Sequence, residues 1–135
     1  MFVSEVKIAV RYYETDQMGI VHHSNYLRYF ECGRHQALID VGLPIHRIEE
    51  LGMVMPVVST VVKYKHPAKM GDILRVVSRI EELPRAKVVV LTEIFNQNDD
   101  LVALGEVIVG FLNSETKRPT RAPEYFVEAF APHLT

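Results

Sequence analysis

Apolar residues recur at every second position near the start of the chain, at Val6, Ile8 and Val10, with Lys7, Ala9 and Arg11 between them. A strand with one covered face has this period, so the pattern predicts a first strand over Val3 to Tyr13. Glu14 to Ser24 has no period and carries Gly19 and the adjacent His22 and His23. Ser24 and Asn25, both residue types that favour helix N-caps, then open a new pattern. Tyr26, Tyr29, Phe30, Gly33, Ala37, Leu38 and Val41 follow at spacings of three and four, Arg28, Arg34 and Asp40 fall off that stripe, and Gly42 before Pro44 stops it. The spacing predicts a helix over Asn25 to Val41. Gly33 and Ala37 in the stripe would let another layer approach closely, at a cost of about 1 kcal/mol for glycine relative to alanine. Such a helix suits packing onto a sheet.

After a turn or short helical piece near Pro44 to Leu51 come four extended stretches: Val54 to Tyr64, Ile73 to Glu82, Lys87 to Asn96 and Leu101 to Leu112. All are rich in residues that favour strands. Their connections carry turn chemistry at His66-Pro67 with Gly71-Asp72, at Leu83-Pro84 and at Asn96 to Asp100, and are short enough for antiparallel hairpins. Pro123-Glu124 then opens a short helix, Glu124 to Phe130. The order predicts one α+β domain, residues 1-135, in which a five-stranded antiparallel sheet wraps one long helix. One helix cannot cover all the strand surface at Val54, Val57, Val58, Val61 and Val62, so we expect a homodimer or larger homo-oligomer.

Composition narrows the classes. A chain of 135 residues has room for a single core, and 48% hydrophobic against 24% charged residues is the balance of a folded protein. Lys and Arg total 15 against 17 Asp and Glu, so there is no global positive field to hold nucleic acid or an anionic membrane. Any anionic ligand must meet a local patch. A lone cysteine, Cys32, excludes an internal disulfide, and no Cys/His spacing fits a zinc site. Glu5 and Lys7 interrupt what a signal peptide would need to be apolar, and no apolar run is long enough to enter a membrane, so the expected location is cytoplasmic.

The loop YETDQMGIVHHSNY concentrates Tyr13, Glu14, Asp16, His22 and His23 ahead of the helix, and places Asp16 seven residues before His23 with Gly19 between them. Gly19 permits a tight turn and close approach of a ligand. A helix starting after His23 presents backbone N–H groups with partial positive charge, suited to a developing oxyanion. A carboxylate aimed at an electrophile held there would make a hydrolytic site.

The series Asp16, Gly19, Val21, His23, Asn25 and Tyr26 resembles the signature of the hotdog-fold acyl-CoA thioesterases, the group that includes 4-hydroxybenzoyl-CoA thioesterase and the Tol-Pal-associated acyl-CoA thioesterases. The order of elements is similar along nearly the whole chain. The resemblance implies a hotdog fold and hydrolysis of an acyl-CoA to a carboxylic acid and free CoA. It implies Asp16 as the catalytic carboxylate, acting as nucleophile or as general base, and the His23 N–H as the group polarising the carbonyl. The His23 side chain and Tyr12 would support them, with Gly19, Val21, Asn25 and Tyr26 around the substrate. It also implies a site between two subunits, with Val57 to Val62 supplying the other wall, and basic residues for the CoA phosphates. Lys63, Lys65, His66 and Lys69 fit that role, with Arg85 and Lys87 as second candidates. Coenzyme A is then part of the substrate, and neither cofactor nor metal is expected. Thiolate leaves readily, so a carboxylate and an oxyanion donor suffice without a Ser/His/Asp triad.

Simpler roles compete at several positions. Asp16 alone would pass for a solvated turn residue, His22 for a structural one, and Cys32 for an inert packing residue. Glu31 could be a helix carboxylate of the kind some hotdog enzymes use, but it reads more simply as a partner of Arg28, Arg34 or His35. Tyr26, Tyr29 and Phe30 read as core, with one edge available to an acyl pocket. The rival functions are a non-catalytic acyl-CoA binding module and a hydratase or dehydratase of the same fold.

Overall fold

The computed structural model describes residues 1–134. The chain opens with strand β1 (Phe2–Ala9), makes a single 3-10 turn (Tyr12–Glu14) and, after a loop, forms helices α1 (Asn25–Asp40) and α2 (Ile45–Glu50). There follow β2 (Met53–Val54), β3 (Val57–Tyr64), β4 (Ile73–Ile80), β5 (Val88–Phe95), β6 (Leu101–Val109), β7 (Leu112–Asn113), α3 (Glu124–Phe130) and a closing 3-10 turn (Ala131–His133). The main sheet has the order β1-β4-β5-β6-β3, every neighbour antiparallel, while β2 and β7 pair separately. This is the expected α+β hotdog arrangement, a five-stranded antiparallel sheet wrapped around a long helix. Only β4, β5 and β6 run as a simple meander; β3 lies beside β6 at one edge.

The stripe expected on α1 is the face that packs on the sheet: Tyr26, Tyr29, Phe30, Gly33, Ala37 and Leu38 are all buried. Phe30 is fully enclosed, with Leu74, Val76, Ile94 and Val102 among the fully buried side chains. The helix can sit this low because position 33 has no side chain. A Cβ there would stand 2.6 Å from Ser78 Oγ and 2.9 Å from Val76 Cγ1, closer than van der Waals packing allows. One end of the barrel-like core is closed by Phe126 and Phe130, which meet Phe111 and Phe2 edge-to-face.

Several boundaries move from where periodicity puts them. The first strand stops at Ala9: the Val10 N–H makes one last in-register bond to the Asp72 carbonyl (2.9 Å), just before β4, and the 3-10 turn from Tyr12 then takes the chain away. The stretch Val54 to Tyr64 is two strands, since Pro56 has no N–H to continue a ladder and its carbonyl accepts the Gly110 N–H instead (2.9 Å). The last stretch likewise divides into β6 and β7, and α1 ends at Asp40 with Val41 as the residue after it. Edge strand β3 leaves its free side open, with Val58 67% and Val61 48% exposed. No helix among the described residues is long and apolar enough to cross a membrane.

Candidate active site

The loop between β1 and α1 is a miniature hairpin. Thr15 pairs with Val21, the Asp16 N–H donates to the Ile20 carbonyl (2.8 Å), and the Gly19 N–H returns to the Asp16 carbonyl (3.0 Å). Gly19 has φ +79° with open space where a Cβ would lie, so glycine is needed here for the left-handed backbone rather than for close packing. Asp16 stands at the tip, half-buried. Its Oδ1 accepts the Met18 N–H (2.8 Å) in an Asx turn, and Oδ2 has no hydrogen-bond partner among the described residues.

The return arm of the hairpin runs beside the segment before β4: the Val21 N–H donates to the Ala68 carbonyl (2.7 Å) and Ile20 pairs with Lys69. The His22 N–H donates to the Glu14 carbonyl (2.9 Å), and α1 begins three residues later. Ser24 occupies the N-cap position but already has helical dihedrals, φ −61° and ψ −25°, and its side chain does not cap. Its hydroxyl lies 2.8 Å from His22 Nδ1, which accepts the Ser24 N–H at 3.2 Å. The Asn25 and Tyr26 N–H groups donate to the carbonyls of His22 (2.9 Å) and His23 (3.3 Å). The amides of Ser24, Asn25 and Tyr26 are therefore occupied, and the His23 N–H is left without a partner among the described residues. The positive end of the α1 dipole adds to the field there. The exposed rings of His22 and His23 stack 4.2 Å apart, tilted by 30°.

Other residues singled out in the sequence take different positions. Val21, Asn25 and Tyr26 are buried, so within one chain they brace the site from behind instead of presenting side chains to a ligand. Asn25 Nδ2 donates to the Glu14 carbonyl (2.9 Å), and the Tyr26 ring meets those of Tyr29 and Tyr64 edge-to-face at 5.8 and 5.3 Å. Burial pushes the Tyr26 phenol above its ordinary range. The Tyr12 side chain is 79% exposed and makes no hydrogen bond among the described residues. Lys63 lies exposed on β3, and Lys65, His66 and Lys69 lie exposed on the segment that leads from it past the hairpin. His66 Nε2 is 3.9 Å from Asp100 Oδ2. Arg85 and Lys87 sit at the opposite end of β4 and β5, roughly 25 Å along the sheet, and do not join that cluster within one chain. Glu31 forms no ion pair within 4 Å among the described residues, contrary to its expected pairing, and Cys32 is exposed rather than packed.

Glu14 is marked in the sequence as one of the loop's polar residues but is given no role there. Buried at 4% exposure, its Oε1 accepts the Tyr29 O–H (3.0 Å) and the Arg11 N–H (2.9 Å), and its carbonyl holds both His22 and Asn25. No periodic signal separates it from a solvated acid, because Tyr29 buries it from across the fold.

Two hollows adjoin these elements. A polar one of about 200 Å³ lies against the hairpin, lined by Ile20, His66, Lys69, Asp72, Gln97 and Asp100. A larger, mostly apolar one of about 510 Å³ lies toward the far end of α1, between Leu38, Met55, Val57, Val90 and Phe130, with Arg34 at its edge. Burial holds the Arg34 guanidinium below its ordinary range, with Glu31 opposing. The cavity runs along α1 from Glu31 to Leu38, so its near edge lies about 9 Å along the axis from the start of the helix, on the side away from the Asp16 hairpin.

A sequence model of the thioesterase-like superfamily matches residues 10–130, which includes the hairpin, α1 and the whole sheet beyond β1. The chain belongs to this superfamily. Among similar proteins, YneP of Bacillus subtilis (strain 168) is 41% identical over 101 residues, covering 75% of this chain and 73% of YneP. The acyl-CoA thioesterase YbgC of Helicobacter pylori (strain 26695) is 30% identical over 131 residues, covering 91% of this chain and 96% of YbgC. The crystal structure of the DHNA-CoA thioesterase of Staphylococcus aureus superposes with a TM-score of 0.92 at 30% identity, covering 98% of this chain and 91% of that one. The superfamily match thus spans the candidate site and the scaffold that positions it.

Proposed function

We propose that the protein is a cytoplasmic acyl-CoA thioesterase that hydrolyses the thioester to a carboxylic acid and free CoA, with Asp16 as its catalytic carboxylate. The observation that supports this reading is that one short loop carries a half-buried carboxylate, whose Oδ2 has no partner among the described residues, and, just before α1, a His23 amide that is likewise unoccupied. The thioester carbonyl oxygen takes the His23 N–H, and charge developing on that oxygen is stabilised there and by the helix dipole. Asp16 Oδ2 either attacks the carbonyl carbon, expelling the CoA thiolate and leaving a mixed anhydride for water to cleave, or removes a proton from the attacking water. Either route ends with the acyl carboxylate and CoA, and neither calls for a cofactor or metal.

The CoA phosphates meet Lys65, His66 and Lys69 beside the hairpin, with Lys63 at the end of β3. The working species is a homodimer formed by the open edge of β3, or a homotetramer of two such dimers. Antiparallel pairing of two β3 strands about a dyad sets Tyr64, which touches Tyr26 at the start of α1, beside Val57 of the partner subunit. The hairpin of one protomer then faces the 510 Å³ cavity of the other, which is of a size and apolarity to seat an acyl group.

The test is Asp16→Asn. Its amide oxygen can still accept the Met18 N–H, so the turn persists while the charge and the nucleophile are lost. Release of free thiol from a panel of acyl-CoAs should fall by roughly 10²–10⁴ in kcat with the fold intact. Wild-type turnover by a folded variant overturns the role of Asp16. Tight acyl-CoA binding by the wild-type protein with no thiol release identifies a binding module, and a hydrated acyl product without CoA release identifies a hydratase.

A further inference from the structure

We infer that Glu14 is the positioning residue of this site, holding the Asp16 hairpin against the first turn of α1 so that carboxylate and His23 amide keep their alignment. The inference rests on the function proposed above. A carboxylate taken out of water is costly unless donors surround it, and Glu14 is supplied with them: the Tyr29 O–H, the Arg11 N–H and, at 3.7 Å, the Arg11 guanidinium. An apolar side chain would fill the same space without that cost, so the anchor needs an explanation beyond packing.

The connections supply one. Through its carboxylate Glu14 is tied to Tyr29, and through its carbonyl to Asn25, one turn earlier on the same face of α1. The same carbonyl takes the His22 N–H and so fixes the return arm of the hairpin. Asp16 lies two residues after Glu14, and His23 follows His22, so both reacting groups leave this one residue by short rigid links. The bonds of Asp16 with Ile20 and Gly19 with Asp16 fix the hairpin's shape, and those of Val21 with Ala68 and Ile20 with Lys69 hold its return arm to the segment before β4; the ties to α1 itself run through Glu14. Glu14 itself is too enclosed to touch substrate, which excludes it as the base.

The test compares Glu14→Leu, Glu14→Gln, Tyr29→Phe and Glu14→Leu combined with Asp16→Asn, all in the full chain. Misplacing a catalytic group by about 1 Å costs up to about 100-fold, so Glu14→Leu should lower kcat roughly 10–100-fold with little change in KM. Glu14→Gln, which can still accept from Tyr29 and Arg11, should recover most of that loss. Tyr29→Phe, the milder variant should Glu14→Leu fail to fold, should lower kcat by several-fold. In the Asp16→Asn background Glu14→Leu should cost nothing further, since groups acting as a unit are not additive. Unchanged kcat in Glu14→Leu, or a loss that multiplies with that of Asp16→Asn, overturns the inference. Amide hydrogen exchange decides it without any activity: Glu14→Leu should speed exchange at His22 and Met18 and leave β4 and β5 unchanged, and unaltered exchange there overturns the inference too. Absence of thiol release by the wild-type protein counts against the thioesterase reading alone.

Discussion

Replacing Gly33 by alanine tests how closely α1 must sit on the sheet. In an exposed helix the change would gain about 1 kcal/mol. Here the new Cβ would lie 2.6 Å from Ser78 Oγ and 2.9 Å from Val76 Cγ1. Val76 is fully buried and β-branched, so it cannot step aside, and overpacking of this kind costs about 1–3 kcal/mol. The net expectation is a loss of up to about 2 kcal/mol, with the helix lifted off the sheet. Ser78 is the nearer obstacle. Its hydroxyl is buried without a hydrogen-bond partner among the described residues, so Ser78→Ala removes an unsatisfied group and should be neutral or stabilising. It also removes the nearer of the two collisions, leaving Ser78 Cβ at an ordinary 4.0 Å from the added methyl. A cycle of wild type, the two single variants and the double, read as urea midpoints at one protein concentration, should show a favourable coupling on the order of 1 kcal/mol. Additive effects, or a Gly33→Ala variant that gains the full helix propensity, would refute the claim that this contact sets the height of α1.

Two further outcomes follow from the same coordinates. Burial and the neighbouring Glu14 raise the Tyr29 phenol, so the fold keeps its proton where the unfolded chain, at an ordinary value of 10.0, has lost it. Stability from this group is intact below pH 10 and falls as pH rises beyond it, by up to about 1.4 kcal/mol per pH unit; urea midpoints at pH 9 and 11 should drop more for wild type than for Tyr29→Phe, and equal drops would count against it. At the open edge, Val61→Lys would set like charges near one another across the dyad of a β3–β3 pair, so sedimentation should show a monomer without thioesterase activity, whereas a dimer of full activity would exclude this edge as the interface.

What was legible in the sequence was whatever repeats or clusters locally. The three-and-four spacing from Tyr26 to Leu38 marked the face of α1 that is buried, and the turn residues at Leu83-Pro84 and Asn96 to Asp100 marked hairpins. The unusual loop from Glu14 to Asn25 stood out by composition, and it is the segment folded into the hairpin that carries Asp16. Breaks within apolar runs were harder to see: at Pro56 a strand ends although hydrophobicity continues, because the limit is a missing N–H and not a missing side chain.

Residue types and their periodicity determined that this chain forms a sheet-covered helix and that its chemistry gathers before that helix. Only the tertiary structure decided which atoms there are free. Val21, Asn25 and Tyr26 turn inward, neighbouring turns occupy three amides and leave that of His23, and Glu14 becomes an anchor through Tyr29, fifteen positions away. A one-dimensional pattern reports which face of an element is covered. Whether a given hydrogen-bonding group is spent or available depends on partners that folding brings together from distant parts of the chain.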